Sequence, residues 1–390
     1  MLGLLQAVAS GDGSLRKLAH NLGNSVGSRS LTKQALHYRV GEPAINFLKK
    51  VCVELLNAPY TIEESTFFQR VLLQGASQLR LPKQNSKHYR GISNQWGDKS
   101  SAKLDLITDL LSGDILDLEI SDGTKQDRVS GEDILAHIQP KDLVLRDMGY
   151  FSTDVFKKIE AAGAYLISRL PANTGVSVPQ EKVSSLEAYL KAQPSSINTV
   201  DIMVDLTLGK KHPIRLVAMR CSQEITNQRR AHLKAHRKKM KSQPNQLSLE
   251  REGWTIYVTN LPKEHYTAEQ IHQIYGFRWN IEIEFRALKG QSHIRSVLDR
   301  IGKKKHHLEI LMHAIMIYAQ LRSKTFAALK KAHPKWKMRL STELVANWFN
   351  TEIQKVCCLF SSLIFYDLRH LSSDKRPSRT SQQQLIDSLF

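Results

Sequence analysis

Cysteine is scarce in this chain of 390 residues, and its four cysteines form neither a CxxC pair nor a zinc-binding pattern. Cys357 and Cys358 lie in the apolar run 356–360, which predicts reduced thiols in a core and a reducing compartment. No run of 18 or more apolar residues is present, which argues against a membrane-spanning helix. The first residues lack the charged segment of a signal peptide. These absences predict a cytoplasmic protein.

Negative charge is also in short supply. The chain has 56 Lys and Arg against 37 Asp and Glu, a net charge of +19, and a pI of about 9.7. Its length and its 41% content of hydrophobic residues predict a globular protein of two or three domains. Excess positive charge favours a polyanionic partner through counterion release, although it does not separate DNA from RNA or anionic lipid.

The first seventy residues have a helical pattern. Apolar residues at 15, 18, 19 and 22 follow the helical period, and Ser30 is predicted to cap a second short helix at 31–40. Two short helices around a glycine-containing turn can form a helix-turn-helix, or a helix pair with no role in DNA binding. In the first interpretation the second helix presents these side chains to DNA: Lys33, Gln34, His37 and Arg39.

From about residue 68 the pattern changes to strands. Three predicted strands come first, the last two as a hairpin around Gly113, and helices then alternate with strands. This order predicts an α/β layer fold of the RNase H-like type. The predicted elements are strands at 68–74, 103–111 and 115–121, a helix at 131–138, a strand at 142–147, a helix at 153–161 and a strand at 164–170.

An insertion interrupts this core. It contains short β-like runs, including one at 199–206, then a basic helix and a polar linker, before a strand resumes at Trp254 and a helix begins near Ala268. The sequence therefore predicts an RNase H-like core with a β-rich insertion between helical terminal regions. The predicted regions are a helix-turn-helix-like region at 1–67, the first part of the core at 68–170, the insertion at 171–253, the second part of the core at 254–325, and a C-terminal helical region and polar tail at 326–390.

The helix in the second part of the core carries the most informative motif. Tyr275, Arg278, Glu282 and Lys289 stand three, four and seven residues apart, so a continuous α-helix would place them on one face. A carboxylate is a hard oxygen ligand for a metal ion, and arginine and lysine bind phosphate oxygens. The motif therefore indicates a metal ion beside a phosphate, although an amphipathic helix with exposed charges has the same pattern.

The segment around this motif, YGFRWNIEIEFRALK, resembles the YREK signature of the insertion-sequence transposases of the DDE class, fourth family. Residues 145–152 resemble the same family's Asp-x-Gly-Tyr-Phe box, and residues 33–39 resemble its N-terminal region. The resemblance extends from about residue 14 to about residue 325. Family members carry further residues ahead of this point, which implies a chain shortened at its start, and they carry an insertion before the acid-bearing helix.

The resemblance implies three carboxylates that hold two Mg²⁺ ions, or Mn²⁺ in their place, about 3.5–4 Å apart. Asp147 and Glu282, which stand 135 positions apart, are implied as catalytic residues and metal ligands. The place of the first acid is position 75, where this chain has Gly75 and no oxygen for a metal. A glycine in a strand can also mark a bulge. The acids considered as replacements are Asp105, Asp109 and Asp127.

The resemblance also implies contacts with DNA. Arg278 and Lys289 would bind phosphates near the cleaved end, with Tyr275 hydrogen-bonding beside them. Trp254 would stack on a flipped base or lie in the core, and Trp279 has the same two interpretations. The basic helix of the insertion is either a contact to the DNA backbone or a solvated surface. Its candidate residues are Arg229, Arg230, Lys234, Arg237 and Lys238.

The resemblance as a whole implies an Mg²⁺-dependent transposase that binds terminal inverted repeats and target DNA, and cuts and joins their strands. It would act as a homodimer in a synaptic complex, in the cytoplasm and at the nucleoid when bound to DNA. The missing acid favours an alternative, an inactive transposase-derived protein that only binds DNA. A third interpretation is a nuclease of the same fold, but simple hydrolysis does not need the long insertion or the signature motif.

Overall fold

A computed structural model describes most of the chain, in two compact units. It covers residues 2–10, 14, 16, 19, 32–57, 67–92, 99–179, 185–207, 211–291, 305–332, 339–340, 342–355 and 372–373. The first unit takes the described residues within Met1–Glu64, Gln74–Gln126 and Trp279–Gln384, and the second takes those within Ser65–Leu73 and Asp127–Arg278.

The described elements follow in chain order. The α-helices are α1 (Leu2–Ser10), α2 (Lys33–Arg39), α3 (Glu42–Asn57), α4 (Asp127–Ser130), α5 (Thr153–Ala161), α6 (Leu186–Ala192), α7 (Gln223–Lys239), α8 (Gln246–Arg251), α9 (Ala268–Gly276), α10 (Asn280–Arg286), α11 (Lys305–Ala332) and α12 (Thr342–Lys355). The strands are β1 (Arg70–Leu81), β2 (Ser100–Asp109), β3 (Ile115–Asp122), β4 (Asp142–Arg146), β5 (Tyr165–Arg169), β6 (Val176–Ser177), β7 (Thr199–Leu206), β8 (His212–Arg220), β9 (Trp254–Thr259), β10 (Arg339–Leu340) and β11 (Ser372–Ser373). Turns of 3₁₀ helix span Lys83–Asn85, Asp133–Ala136, Met148–Tyr150 and Phe277–Trp279, and a π-helical turn spans Ala287–Gln291.

The first unit joins an antiparallel hairpin to a group of helices. Strand β2 lies between β3 and β1, pairs antiparallel with β3, and is buried along its whole length. The predicted hairpin is confirmed, and Gly113 in its turn has a φ of 77°, which glycine adopts without strain. The long helix α11 packs against α1, α3, α12 and β3. Helix α3 contributes Ile45, Leu48 and Cys52, which are buried at helical spacing.

The second unit is built on a mixed sheet. Its strand order is β1-β4-β5-β9-β8-β7-β6, in which β1, β4 and β5 are parallel and the later neighbours are antiparallel. Strand β1 contributes Arg70–Leu73 to this sheet. Because β4 and β5 run parallel with Arg146 opposite Ser168, the residues that follow both strands meet at one edge. Helix α9 packs on β5, β7 and β8, and α5 packs on β5.

Several predicted elements are found with small shifts. The helix at 153–161 and the strand at 199–206 have the predicted bounds, and α9 begins at the predicted Ala268. The predicted helix around 131–138 is found only as a short 3₁₀ helix at Asp133–Ala136, after the separate short helix α4. The cap of α2 is Thr32 instead of Ser30, since Thr32 Oγ1 accepts a hydrogen bond from the Ala35 N–H at 3.1 Å.

Some predictions concern residues that the structure leaves undescribed. The first helix of the predicted helix-turn-helix lies mostly outside the described residues, as do the Cys357–Cys358 pair and most of the polar tail. None of the described helices combines the length and apolar character needed to cross a membrane.

The predicted signature helix is helical without a gap from Ala268 to Gln291, but it is not a uniform α-helix. Helix α9 ends at Gly276, a 3₁₀ turn follows at Phe277–Trp279, then α10, and then the π-helical turn Ala287–Gln291. A 3₁₀ turn has 3.0 residues per turn and a π turn is wider than an α-helix, so the four residues do not follow the single period of 3.6 residues that the prediction assumed. The described units divide the motif as well, with Tyr275 and Arg278 in the second unit and Glu282 and Lys289 in the first.

Candidate DNA-processing site

Asp147 stands where the sequence predicted, directly after β4. It is half-buried and leads into the 3₁₀ turn Met148–Tyr150, whose Tyr150 N–H donates to the Asp147 backbone oxygen at 3.1 Å. A Cβ added at Gly149 in this turn would lie 3.1 Å from Asp127 Oδ2. The carboxylate of Asp127 therefore lies against the turn that follows Asp147.

Tyr275 is engaged inside the second unit. Its side chain is 7% exposed, and its hydroxyl donates to the backbone oxygen of Arg146 at 3.2 Å. Its ring centroid lies 4.9 Å from that of Tyr257. Burial raises the pKa of Tyr275, and the negative charge of Asp147 raises this pKa further. The phenol is therefore neutral at physiological pH and ties α9 to the end of β4, a role that differs from the implied contact with DNA.

Two arginines act on the pKa of this phenol. The positive charges of Arg278 and Arg169 both act to lower the pKa of Tyr275, opposite in direction to the Asp147 carboxylate. Both arginines are half-buried. The sequence interpretation missed Arg169, although a signal was present. It ends β5, the parallel neighbour of β4, so it falls beside Asp147 at the shared edge.

A third arginine lies next to Asp147 in the chain and is fully buried. The guanidinium of Arg146 donates from Nη2 to the Gly131 backbone oxygen at 2.8 Å and lies 5.9 Å from the centroid of the Tyr150 ring. Burial lowers the pKa of Arg146 to about 10. It stays protonated at neutral pH, so the end of β4 carries a buried positive charge.

In the first unit, Gly75 lies in the buried part of β1, against α10. A Cβ built on Gly75 would lie 2.7 Å from Ile281 Cγ1, 3.1 Å from Ile281 Cγ2 and 3.3 Å from Phe285 Cε2. Separations under 3.0 Å are essentially absent from real Cβ contacts, so the strand approaches the helix more closely than any other residue type would allow. Glycine at this position is used for close packing.

The other two signature residues of the first unit flank this contact. Glu282 follows Ile281 in the first turn of α10 and is half-buried. Lys289, in the π-helical turn, donates from Nζ to Ser77 Oγ at 2.5 Å and to the Gln78 backbone oxygen at 2.7 Å. The ammonium group implied as a phosphate contact therefore holds the π turn against β1.

Two of the possible replacement acids have structural partners. The carboxylate of Asp105 lies 3.0 Å from Lys103 Nζ, and both side chains are buried on β2. Asp109 accepts hydrogen bonds from the N–H and the hydroxyl of Ser112 at 3.1 and 2.6 Å, and so stabilises the hairpin turn. Neither is placed as an open metal ligand.

The residues present do not fit a pair of divalent metal ions. One of the three implied ligand positions is a glycine whose open side faces the apolar side chains of Ile281 and Phe285. Within the described ranges, no group of three or more His, Cys, Asp or Glu side chains is arranged to hold a metal ion.

The two tryptophans considered as stacking surfaces differ sharply in exposure. Trp254 is 5% exposed, and the guanidinium of Arg220 lies 4.2 Å from its ring centroid. Arg220 is held there by hydrogen bonds to the backbone oxygens of Ile197 and Pro194. Of the two interpretations of Trp254, the structure shows the buried one. Trp279 is 47% exposed.

The basic helix α7 divides its cations between the second unit and solvent. Arg229 donates to the Trp254 backbone oxygen and to Thr255 Oγ1, and Arg230 donates from Nε to the Leu249 backbone oxygen at 2.8 Å. The exposed lysines and arginines lie in the C-terminal half of the helix and are Lys234, Arg237, Lys238 and Lys239.

Helix α2 presents the polar face that the sequence predicted. The four side chains named for DNA contact are all exposed, and α3 follows after a short connection. They belong to Lys33, Gln34, His37 and Arg39.

Residues 68–319 match the family described as the transposase DDE domain. The match covers more than half of the chain, so the chain belongs to this family. It is similar to the transposase for insertion sequence element IS1151 of Clostridium perfringens, with 28% identity over 292 residues, 69% of this chain and 62% of that protein. It is also similar to the transposase for insertion sequence element IS231E of Bacillus thuringiensis subsp. finitimus, with 29% identity over 366 residues, 87% of this chain and 74% of that protein.

The chain thus spans less than two thirds of the length of the Clostridium perfringens relative. A solved structure, the cryo-EM structure of the piggyBac transposase synaptic complex with hairpin DNA, is 10% identical. It aligns with 98% of this chain and 78% of its own, at a TM-score of 0.45. A likeness at that level carries no argument about this protein.

Proposed function

We propose that this chain is an insertion-sequence transposase of the fourth family that binds the terminal inverted repeats of its transposon and target DNA but no longer cuts them. It would act as a homodimer in a synaptic complex at the bacterial nucleoid. Membership of the transposase DDE domain family supports DNA as the partner. The strand orders β3-β2-β1 in the first unit and β1-β4-β5 in the second support an RNase H-like core.

The charge distribution supports the proposal that the chain binds DNA. The net charge of +19 favours phosphate backbones, and α7 has four exposed cations that can contact them: Lys234, Arg237, Lys238 and Lys239. Arg169 and Arg278 are further half-buried cations of the second unit, and a guanidinium can bind a phosphate in a bidentate manner. The exposed ring of Trp279 offers a surface on which an unpaired base can stack.

The glycine at position 75 is the observation that supports the loss of DNA cleavage. The family resemblance implies a carboxylate there, and this chain has no side-chain oxygen at that position. Asp105 and Asp109 do not replace it, because each is committed to a partner within the hairpin. Asp147 and Glu282 remain as two of the three implied acids.

A second candidate, an active transposase that cuts and joins strands with Mg²⁺ or Mn²⁺, is favoured by one specific observation. The carboxylate of Asp127 lies against Gly149, two residues beyond Asp147. Asp127 and Asp147 thus place two carboxylates of the second unit near the end of β4. This candidate predicts that Asp127 is needed for cleavage.

Both candidates are tested on a labelled duplex of the flanking terminal repeat, with a scrambled duplex as control. Mobility shifts across a series of KCl concentrations measure binding, and incubation with MgCl₂ or MnCl₂ measures cleavage and joining. We expect preferential binding to the repeat that weakens steeply with salt, and no cut strand. Equal, salt-insensitive binding to both duplexes would contradict the proposal.

Cleavage by the unmodified chain would favour the second candidate, provided that Asp127→Asn and Glu282→Gln each abolish it. Both variants keep the size of the side chain and remove its charge, and mobility shifts with each variant check that DNA binding is kept. Cleavage without any joined product would instead indicate a nuclease.

A further inference from the structure

We propose that the side chain of Ile281 occupies the space that a carboxylate at position 75 would need. The carboxylate at position 75 is then missing, and the space it would need is filled by a neighbouring side chain. Restoring the aspartate alone therefore does not restore a metal ligand. This inference rests on the proposed function, which places the first acid at position 75.

The steric step follows from the contact between β1 and α10. The nearest atom to a Cβ at position 75 would be Ile281 Cγ1 at 2.7 Å, an atom attached directly to the branched Cβ of isoleucine. A β-branched side chain in a helix has one strongly preferred χ1 rotamer, so Ile281 cannot easily turn away. It is 2% exposed and Phe285 is 6% exposed, so neither side chain has open solvent to move into.

The helix is also fixed against the strand at a second point. Residues 75 and 77 of β1 share a face, because side chains alternate along a strand. Lys289, in the π turn that continues α10, donates a hydrogen bond to Ser77 Oγ at 2.5 Å. Packing at position 75 and this hydrogen bond at position 77 together hold α10 close to β1. Moving the helix outward to admit an aspartate would disrupt both contacts.

The apolar side chains around position 75 would also disfavour a negative charge there. A carboxylate built on position 75 would begin between the hydrocarbon side chains of Ile281 and Phe285. An ionised group buried against apolar atoms without a partner is strongly disfavoured and becomes protonated instead. A protonated or displaced acid is a poor metal ligand, because a ligand must lie within about 0.5 Å of its productive position.

Ile281→Ala removes both γ-carbons that crowd position 75 and leaves Glu282 in place. We therefore expect that Gly75→Asp combined with Ile281→Ala creates a side chain able to bind a divalent cation, whereas Gly75→Asp alone does not. Ile283 is a matched control, because it lies on α10 two residues away, is half-buried, and is not among the atoms nearest to position 75.

The experiment compares thermal unfolding of the full chain with and without MnCl₂. The variants are Gly75→Ala, Gly75→Asp, Ile281→Ala, the double variant Gly75→Asp/Ile281→Ala and the control Gly75→Asp/Ile283→Ala. We expect Gly75→Ala and Gly75→Asp to lower the midpoint by roughly 3–10 °C, as overpacking does. Ile281→Ala should restore part of the loss caused by Gly75→Asp, Ile283→Ala should not, and MnCl₂ should raise only the midpoint of the Ile281 double variant.

The two possible failures are distinguishable. If Gly75→Asp unfolds at the wild-type midpoint and responds to MnCl₂ as strongly as the double variant, Ile281 is not an obstacle and this inference is wrong, while position 75 remains the first acid position. If the double variant regains stability but shows no response to MnCl₂ and no cleavage, the assignment of position 75 as a metal ligand is wrong, and with it the metal part of this proposal. Gly75→Ala measures the steric effect even if Gly75→Asp does not fold.

Discussion

Removing the hydroxyl of Tyr275 tests whether this residue supports the fold or contacts DNA. The hydroxyl donates to the Arg146 backbone oxygen at 3.2 Å, in a side chain that is 7% exposed. Tyr275→Phe keeps the ring against Tyr257 and deletes only the donor. We therefore expect the stability of the protein to fall while its affinity for the terminal repeat is unchanged.

The size of the effect follows from the loss of one buried hydrogen bond. Such a bond contributes about 0.5–1.5 kcal/mol to the free energy of unfolding, and more when its partner is left unpaired in the interior. In a domain of this size, each 1 kcal/mol shifts the midpoint by roughly 2–4 °C. The expected decrease for Tyr275→Phe is thus roughly 1–6 °C.

Thermal unfolding and mobility-shift titrations of the same preparations measure the two effects. Tyr257→Phe is the matched control, because its hydroxyl hydrogen-bonds to His272 Nδ1 at 2.7 Å within the same unit. Both variants should lose stability and neither should lose affinity. An unchanged midpoint for Tyr275→Phe together with a tenfold loss of affinity would refute the structural role and favour a DNA contact.

Three further predictions concern the second unit. Lys234→Ala should weaken DNA binding and reduce the slope of log affinity against log salt by about 1, without changing the midpoint of thermal unfolding. Arg229→Ala should chiefly lower that midpoint, because the Arg229 guanidinium donates to two acceptors on β9. Asp142→Ala removes the carboxylate that Arg70 Nε contacts at 3.0 Å. The free energy of unfolding, measured by urea titration, should fall by roughly 3–5 kcal/mol. A loss below about 1 kcal/mol would show that this buried ion pair contributes little to stability. Burial lowers the pKa of His212 below its usual 6.5, so the folded protein holds this imidazole neutral at a pH where the unfolded chain would protonate it. The resulting contribution to stability is complete above pH 6.5 and is lost as the pH falls below 6.5. His212→Gln should therefore flatten the decline in urea midpoint between about pH 7 and pH 5.

Local patterns were sufficient to locate elements whose apolar residues follow a regular period. In α5, the buried residues Val155, Phe156 and Ile159 follow the helical spacing, and the predicted bounds are the observed ones. Strand β4 was likewise visible from three successive apolar residues at 143–145, and the resemblance of residues 145–152 to a family motif marked Asp147 directly after it. These features depend on neighbours in the sequence.

The roles of individual side chains depended on partners far along the chain. The acceptor of the Tyr275 hydroxyl belongs to Arg146, which is 129 positions earlier, and Arg220 covers Trp254 from a different strand. The 3₁₀ turn at Phe277–Trp279 contains no proline or glycine, so no helix-breaking residue within it marks the change in period. Long-range hydrogen bonds and close packing, such as that at Gly75, leave no periodic signal in the sequence.

The discontinuity of the first unit has a consequence for synthesis on the ribosome. The apolar face of α3 packs on α11, which begins only at Lys305, whereas the second unit draws nearly all of its described residues from the continuous stretch 127–278. At roughly 5–20 residues per second, the nascent chain therefore exposes Ile45 and Leu48 for many seconds before their partner helix is made. A message interrupted before α11 would release a chain with a completed second unit and an uncovered hydrophobic helix, a species that we expect to aggregate or to be degraded.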